Sequence, residues 1–194
     1  MTGGLDLIGL RDAVTLHGRV ARVLVLDDKG SAPRGAGTAM LVWADGQSGT
    51  IGGGALEFDA AARARALLGQ DGAWLREKLS MPLGPALGQC CGGAVSLLVE
   101  VFGVAEIEDL GGAQPFPRPL ASGEPPISRS GDDLRAARAP FWVMRAMQSA
   151  REGAAAPGLR QREGWVMEPI GIVAKPLWLY GAGHVGRAVV RAFT

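Results

Sequence analysis

Three things that often give a chain its chemistry or its address are scarce here: charge of one sign, histidine, and long apolar runs. Twenty basic residues stand against nineteen acidic ones, a formal net charge of +1. No global field therefore argues for nucleic acid or an anionic surface as a partner. Seventeen of the twenty bases are arginine, which reads as codon bias. The only histidines are His17 and His184, and their spacing from the only cysteines, Cys90 and Cys91, does not suit a zinc site. His17 reads as a helix-surface residue. No apolar run approaches the ~20 residues that span a bilayer, and the N-terminus lacks a basic region followed by a long apolar one. No membrane partner is expected, and the expected location is the cytoplasm. Adjacent cysteines also exclude a disulfide framework, since a bridge between neighbours strains the peptide that joins them.

Glycine and proline are abundant instead. Thirty glycines and twelve prolines gather in clusters between apolar runs, with no low-complexity tract. At 194 residues and 47% hydrophobic, the chain has material for one good core or the start of a second. The pattern predicts a mixed α/β fold. A helix is expected over 7–16, then a mostly buried strand over 20–26. The loop Gly30-Ser31-Ala32-Pro33-Arg34-Gly35-Ala36-Gly37 offers a hydroxyl and one arginine in a glycine-rich frame that suits an anion. A strand over 38–43, an Asp45-Gly46 turn and a short return over 48–51 make a hairpin.

The return runs into Gly52-Gly53-Gly54, followed by a strongly helical stretch over 55–68. Glycine N–H groups at the positive end of that helix are expected to stand open, as in phosphate-binding loops. The bland alternative is a turn needed only for backbone geometry. Glu57 admits three roles: orienting a loop, binding a ligand's N–H groups, or resting as an exposed first-turn carboxylate. A short helix is expected around 74–79. Beyond the cysteines, 94–102 reads as a strand with Val95, Leu97, Val99 and Val101 on one face. The stretch 111–126 is rich in proline and glycine and reads as a linker, which closes a first domain, 1–109. In the connecting part, 110–170, residues 141–147 suit either helix or strand, and 165–168 suit a strand.

The chain is organised around Leu87-Gly88-Gln89-Cys90-Cys91-Gly92-Gly93. A thiolate is both a soft metal ligand and a nucleophile, and flanking glycines let main-chain N–H groups approach an anion closely. A buried, inert role for one or both thiols is the alternative. Near the C-terminus, residues 176–180 read as a strand, followed by Gly181-Ala182-Gly183-His184-Val185-Gly186 and a helix over 187–193. This strand, glycine turn and helix form the opening of a dinucleotide-binding unit, 171–194. The acidic residue expected some 20 positions later is not in the chain, so the unit is read as truncated and an NAD(P) cofactor is not expected.

Together, Gly30-Ser31-Ala32-Pro33-Arg34, Gly49-Thr50-Ile51-Gly52-Gly53-Gly54-Ala55-Leu56-Glu57, the string from Leu83 to Gly93 and the tail glycines Gly181, Gly183 and Gly186 resemble the XdhC family of xanthine dehydrogenase accessory proteins. The resemblance implies a chaperone of the molybdenum cofactor (molybdopterin), not an enzyme. Such a protein protects the cofactor while a cysteine desulfurase supplies its sulfido ligand, then delivers it to the xanthine dehydrogenase apo-subunit. It also implies a Rossmann-type C-terminal domain and raises a homodimer as a further expectation.

Within that frame the expected cofactor contacts are Ser31, Arg34, Gly52, Gly53, Gly54, Glu57, Gln89, Cys90, Cys91, Gly92 and Gly93, with Cys90 and Cys91 also candidate molybdenum contacts. Arg34 and the glycine amides would take a phosphate, and Gln89 a pterin edge, which needs a donor and an acceptor. Other readings stay open: an NAD(P)-binding oxidoreductase-like protein built on Gly181, Gly183, His184 and Gly186, or a thiol or persulfide carrier without cofactor.

Overall fold

The computed structural model describes residues 4–83, 93–110, 116–124, 126, 139–154 and 158–171, together with 183 and 185. The fold is mixed α/β, as expected. Its centre is a five-stranded antiparallel sheet built from β2 (Val20–Lys29), β3 (Ala39–Val42), β4 (Gln47–Gly49), β5 (Arg76–Pro82) and β6 (Ala94–Phe102). The spatial order is β4-β3-β2-β6-β5, so the two longest strands lie side by side in the middle.

Strand alternation divides the sheet into two apolar faces. On one face Ala21, Val23, Val25, Val95, Leu97, Val99 and Val101 pack with Leu56, Ala60, Ala61, Ala64 and Leu67 of α2 (Gly54–Leu68). Three of those five helix positions are alanines, which let the helix lie close to the sheet and lose little rotamer freedom. The other face meets a three-stranded sheet, ordered β7-β9-β8, made of β7 (Phe116–Pro119), β8 (Arg160–Arg162) and β9 (Trp165–Glu168). There Leu24, Leu26 and Leu98 bury against Val166. The far face of the small sheet, through Trp165 and Met167, is covered by Val143 and Met147 of α4 (Phe141–Arg151). Beside it, α1 (Leu7–His17) packs Leu10 and Val14 against Val20, Phe102 and Phe116. A short α3 (Val104–Asp109) follows β6, and β1 (Leu5–Asp6) pairs in parallel with β10 (Ile170–Gly171).

The helix expected around 74–79 is a strand. Glu77 and Lys78 favour helix weakly, but β5 pairs with β6 over its full length, from Arg76 opposite Glu100 to Pro82 opposite Ala94. Leu79 and Met81 pack on the core by strand alternation, so tertiary pairing overrides local propensity. Pro82 ends β5 on the sheet edge, where its missing N–H removes no ladder bond. Within the stretch read as a linker, Phe116–Pro119 forms β7, because pairing with β9 and burial of all four residues hold it extended. Residues 141–147 are helical and 165–168 form a strand. Of the expected dinucleotide-binding opening, Gly183 and Val185 are described and exposed. Gly181, His184 and Gly186 lie outside the described residues.

Between the two sheets lies a cluster of five buried charges. Arg22, Glu100 and Arg76 are cross-strand neighbours on β2, β6 and β5. Facing them, Arg118 and Glu168 come from β7 and β9, and all five residues are at most 5% exposed. Arg22 holds Glu168 through two hydrogen bonds of 2.7 and 2.8 Å. Arg118 grips Glu100 with its Nε and Nη2 and donates also to Glu168 at 2.6 Å. Arg76 donates to Glu100 at 3.1 Å, and its Nη1 reaches the carbonyls of Pro119 and Glu124. Burial alone would raise the Glu100 and Glu168 carboxyls. The Arg118 charge on Glu100, and the Arg22 and Arg118 charges on Glu168, outweigh it and hold both groups below the ordinary glutamate range.

Removing one member strands its partner's charge in a medium that solvates it poorly. Glu100→Ala should therefore lower the unfolding free energy by ~3–5 kcal/mol in urea titrations of the full chain. The sign with pH follows from the depressed carboxyls. Their contribution is fully present above the ordinary glutamate value, about pH 4.3, and is lost as pH falls through the lower folded values. Thermal melts between pH 7 and pH 3 should show the loss confined to the acid end, and a midpoint that falls evenly from pH 7 would contradict it.

Candidate functional site

The site begins where β2, β5 and β6 end together. Lys29 pairs with Ala94, which pairs with Pro82. One residue further the Leu83 amide donates to the Gly93 carbonyl at 2.7 Å, and the Leu83 side chain is fully buried in the core. Leu83 and Gly93 thus clamp both ends of the cysteine-bearing segment. Gln89, Cys90, Cys91 and Gly92 lie outside the described residues.

Gly93 is pressed into the neighbouring loop. A Cβ there would come within 2.5 Å of the Lys29 and Ser31 carbonyl oxygens, so only glycine fits without moving backbone. On its other flank the Ser31 loop meets the glycine loop. A Cβ at Gly52 would sit 2.5 Å from Pro33 Cγ, and Gly52 has φ of +129°, open to glycine alone. The segment Ser31–Arg34 is therefore held between the glycine loop and the exit of the cysteine loop. Ser31 and Arg34 are exposed at this junction. Below them Asp28 accepts a hydrogen bond from the Ala36 amide at 2.8 Å and ties the loop back to its own strand.

The glycine loop differs from the open cradle that was expected. Glu57, in the first turn of α2, folds back over it, and Oε2 accepts from the Ile51 amide at 3.1 Å, the Gly53 amide at 3.0 Å and the Thr50 hydroxyl at 2.5 Å. Gln47 donates to Oε1 at 3.0 Å, and the Gly52 amide turns to Thr50 Oγ1 at 3.1 Å. The amides of Gly52 and Gly53 are filled from inside the protein. The Thr50 hydroxyl foremost, then the Gly53 and Ile51 amides and Gln47, hold the Glu57 carboxyl below its ordinary value against partial burial. Of its three candidate roles, loop orientation is the one with contacts. His17, read as a surface residue, is half-buried and stacks on Trp43 at 4.0 Å. No cluster of three or more metal-ligating side chains occurs among the described residues.

Sequence reasoning missed Asp28, whose signal is weak because Asp27 and Asp28 both follow the apolar run. It missed the buried charges as well, though an arginine inside an otherwise apolar strand, as at Arg22, is the available clue.

This is a mixed α/β protein in which two glycine-rich loops and the two ends of the cysteine-bearing segment, Leu83 and Gly93, meet at one end of the central sheet. Residues 14–77 match the model of the XdhC and CoxI family, and over that segment the chain is XdhC-like. The matched segment carries both of those loops. A solved xanthine dehydrogenase from Bacillus halodurans is similar at 21% identity and a TM-score of 0.49, over 63% of this chain and 40% of that one. The chain thus spans about two fifths of that protein's length. Among curated proteins none matches the chain. No helix among the described residues is long and apolar enough to cross a membrane.

Packing at the junction makes a direct prediction. Gly93→Ala must displace the backbone of the Lys29–Ser31 segment and should cost about 1–3 kcal/mol of stability, as overpacking does. Gly158→Ala, with nothing within 4 Å of its Cβ position, should stay within about 0.5 kcal/mol. Equal effects in parallel urea melts would refute the packing argument.

Proposed function

We propose that this chain is an accessory protein of a molybdenum enzyme and that the loop junction carries the molybdenum cofactor as cargo. The observation that carries this reading is the seating of Ser31–Arg34 between Gly52 and Gly93, which brings a hydroxyl, an arginine and the exit of the cysteine loop to one place. The family match over 14–77 supplies the class. Cys91 is two residues before Gly93 and Cys90 three, and a trans chain extends at most ~3.6 Å per residue. Covalent reach therefore limits how far the Cα of either cysteine can lie from Gly93.

The donor set fits such a cargo. Arg34 is suited to the phosphate, since a guanidinium gives two parallel charge-assisted bonds to an oxyanion. Ser31 can add a neutral one. Gln89 offers a donor and an acceptor to the pterin edge, and a thiolate at Cys90 or Cys91 is a soft contact for molybdenum or a carrier of sulfur. A carrier must release what it holds, and an exposed junction suits release. The rest of the reading concerns partners: protection of the cofactor during sulfuration by a cysteine desulfurase, delivery to the xanthine dehydrogenase apo-subunit, a homodimer, and a cytoplasmic location. A nicotinamide-dependent role would need the residues around Gly181 and Gly186, and no observation favours it.

The test is anaerobic titration of the full chain with molybdopterin cofactor, read by ultrafiltration and molybdenum analysis. Near-stoichiometric binding is expected, lost in a Cys90→Ala/Cys91→Ala double variant and weakened at least tenfold in Arg34→Ala. A folded wild-type chain that retains no molybdenum would overturn the proposal.

A further inference from the structure

We infer that Glu57 is a positioning residue, which fills the amide nest of the glycine loop as an internal anion and so leaves the cargo's anionic group to Arg34 and Ser31. The inference deepens the cofactor-carrier reading and rests on it for the identity of the cargo. The geometry stands without it.

An anion cradle needs convergent N–H groups with no partner. Here the Ile51 and Gly53 amides point at Glu57 Oε2, and the Gly52 amide is taken by Thr50. Among the described residues the donors to the carboxylate are uncharged: two amides, the Thr50 hydroxyl and the Gln47 amide. A phosphate entering the nest would have to expel a carboxylate that already has four hydrogen bonds. Arg34, exposed on the adjoining loop, offers an anion a full positive charge with no such displacement.

The same carboxylate sets where that arginine stands. By binding the amides on either side of Gly52, Glu57 holds the turn that presses Gly52 onto Pro33, the residue before Arg34. The line of contact runs from Glu57 through Gly52 and Pro33 to Ser31, and from there to Gly93. Two carboxylates on different elements, Asp28 and Glu57, thereby fix the two flanks of one loop.

The experiment uses the ¹⁵N-labelled full chain, wild type and three variants, Glu57→Gln, Glu57→Ala and Arg34→Ala. Amide resonances are followed between pH 7 and pH 3, and molybdopterin cofactor titrations are run in parallel. In the wild type, the Ile51 and Gly53 amides should move together with one midpoint below the ordinary glutamate range, and in Glu57→Gln they should not titrate. Glu57→Ala should weaken cargo binding about tenfold. Glu57→Gln, which keeps the shape and one acceptor oxygen but not the charge, should recover only part of that loss, whereas a purely steric role would be restored in full. Inorganic phosphate should shift Arg34 Nε–H in preference to the Gly53 amide.

Unchanged Ile51 and Gly53 shifts in a folded Glu57→Ala variant would overturn the inference, and so would phosphate shifting the Gly53 amide first. If the amides titrate as described but the wild type retains no cofactor, the internal anion stands and the carrier reading falls.

Discussion

The structure depends on five charges placed where water cannot reach them. Arg22, Glu100 and Arg76 lie on one face of the central sheet, and Arg118 and Glu168 come from the small sheet opposite. None of the five is tolerable alone, because an unpaired buried ion loses far more solvation than the surrounding apolar groups return. Together they fix how the two sheets face each other. Apolar packing between Leu24, Leu98 and Val166 would tolerate sliding, whereas the bidentate pairings fix one register. With three guanidinium groups and two carboxylates, the cluster keeps an excess positive charge. The Arg76 guanidinium lies 5.4 Å over the face of Trp74, where the ring quadrupole partly offsets that excess.

That clamp leaves the opposite end of the sheet free to carry loops. The junction of Ser31, Gly52 and Gly93 uses another device: missing side chains. Two glycines allow backbone to approach backbone or proline at distances that any Cβ would forbid, and carboxylates at Asp28 and Glu57 satisfy amides the turns leave exposed. The result is a rigid base with exposed polar tips. For the cofactor carrier proposed above, such a base would orient the cargo and the open tips would permit handover.

Much of the fold was legible in local pattern. The buried strand from Val20, the hairpin turn at Asp45-Gly46, the helix after Gly54 and the alternation of β6 follow from periodicity and turn chemistry, which act over a few residues. What local pattern misread was β5, where Glu77 and Lys78 look helical until β6 is placed beside them. It also misread the glycine loop. A triple glycine before a helix looks like an open anion site, and nothing in the order of residues says that the carboxylate four positions after Gly53 bends back to close it.

The sequence by itself determined the apolar faces of the strands, the glycines that make the loops, and the four motifs resembling the XdhC family, because each depends only on residue type and short spacing. Tertiary structure alone decided which loops touch and which charges pair. Arg22 and Glu168 are 146 residues apart, far beyond any local pattern, yet their hydrogen bonds are 2.7 and 2.8 Å long. Contacts of that kind are selected by burial: only when two sheets exclude water does an isolated charge become so costly that one particular partner must be found.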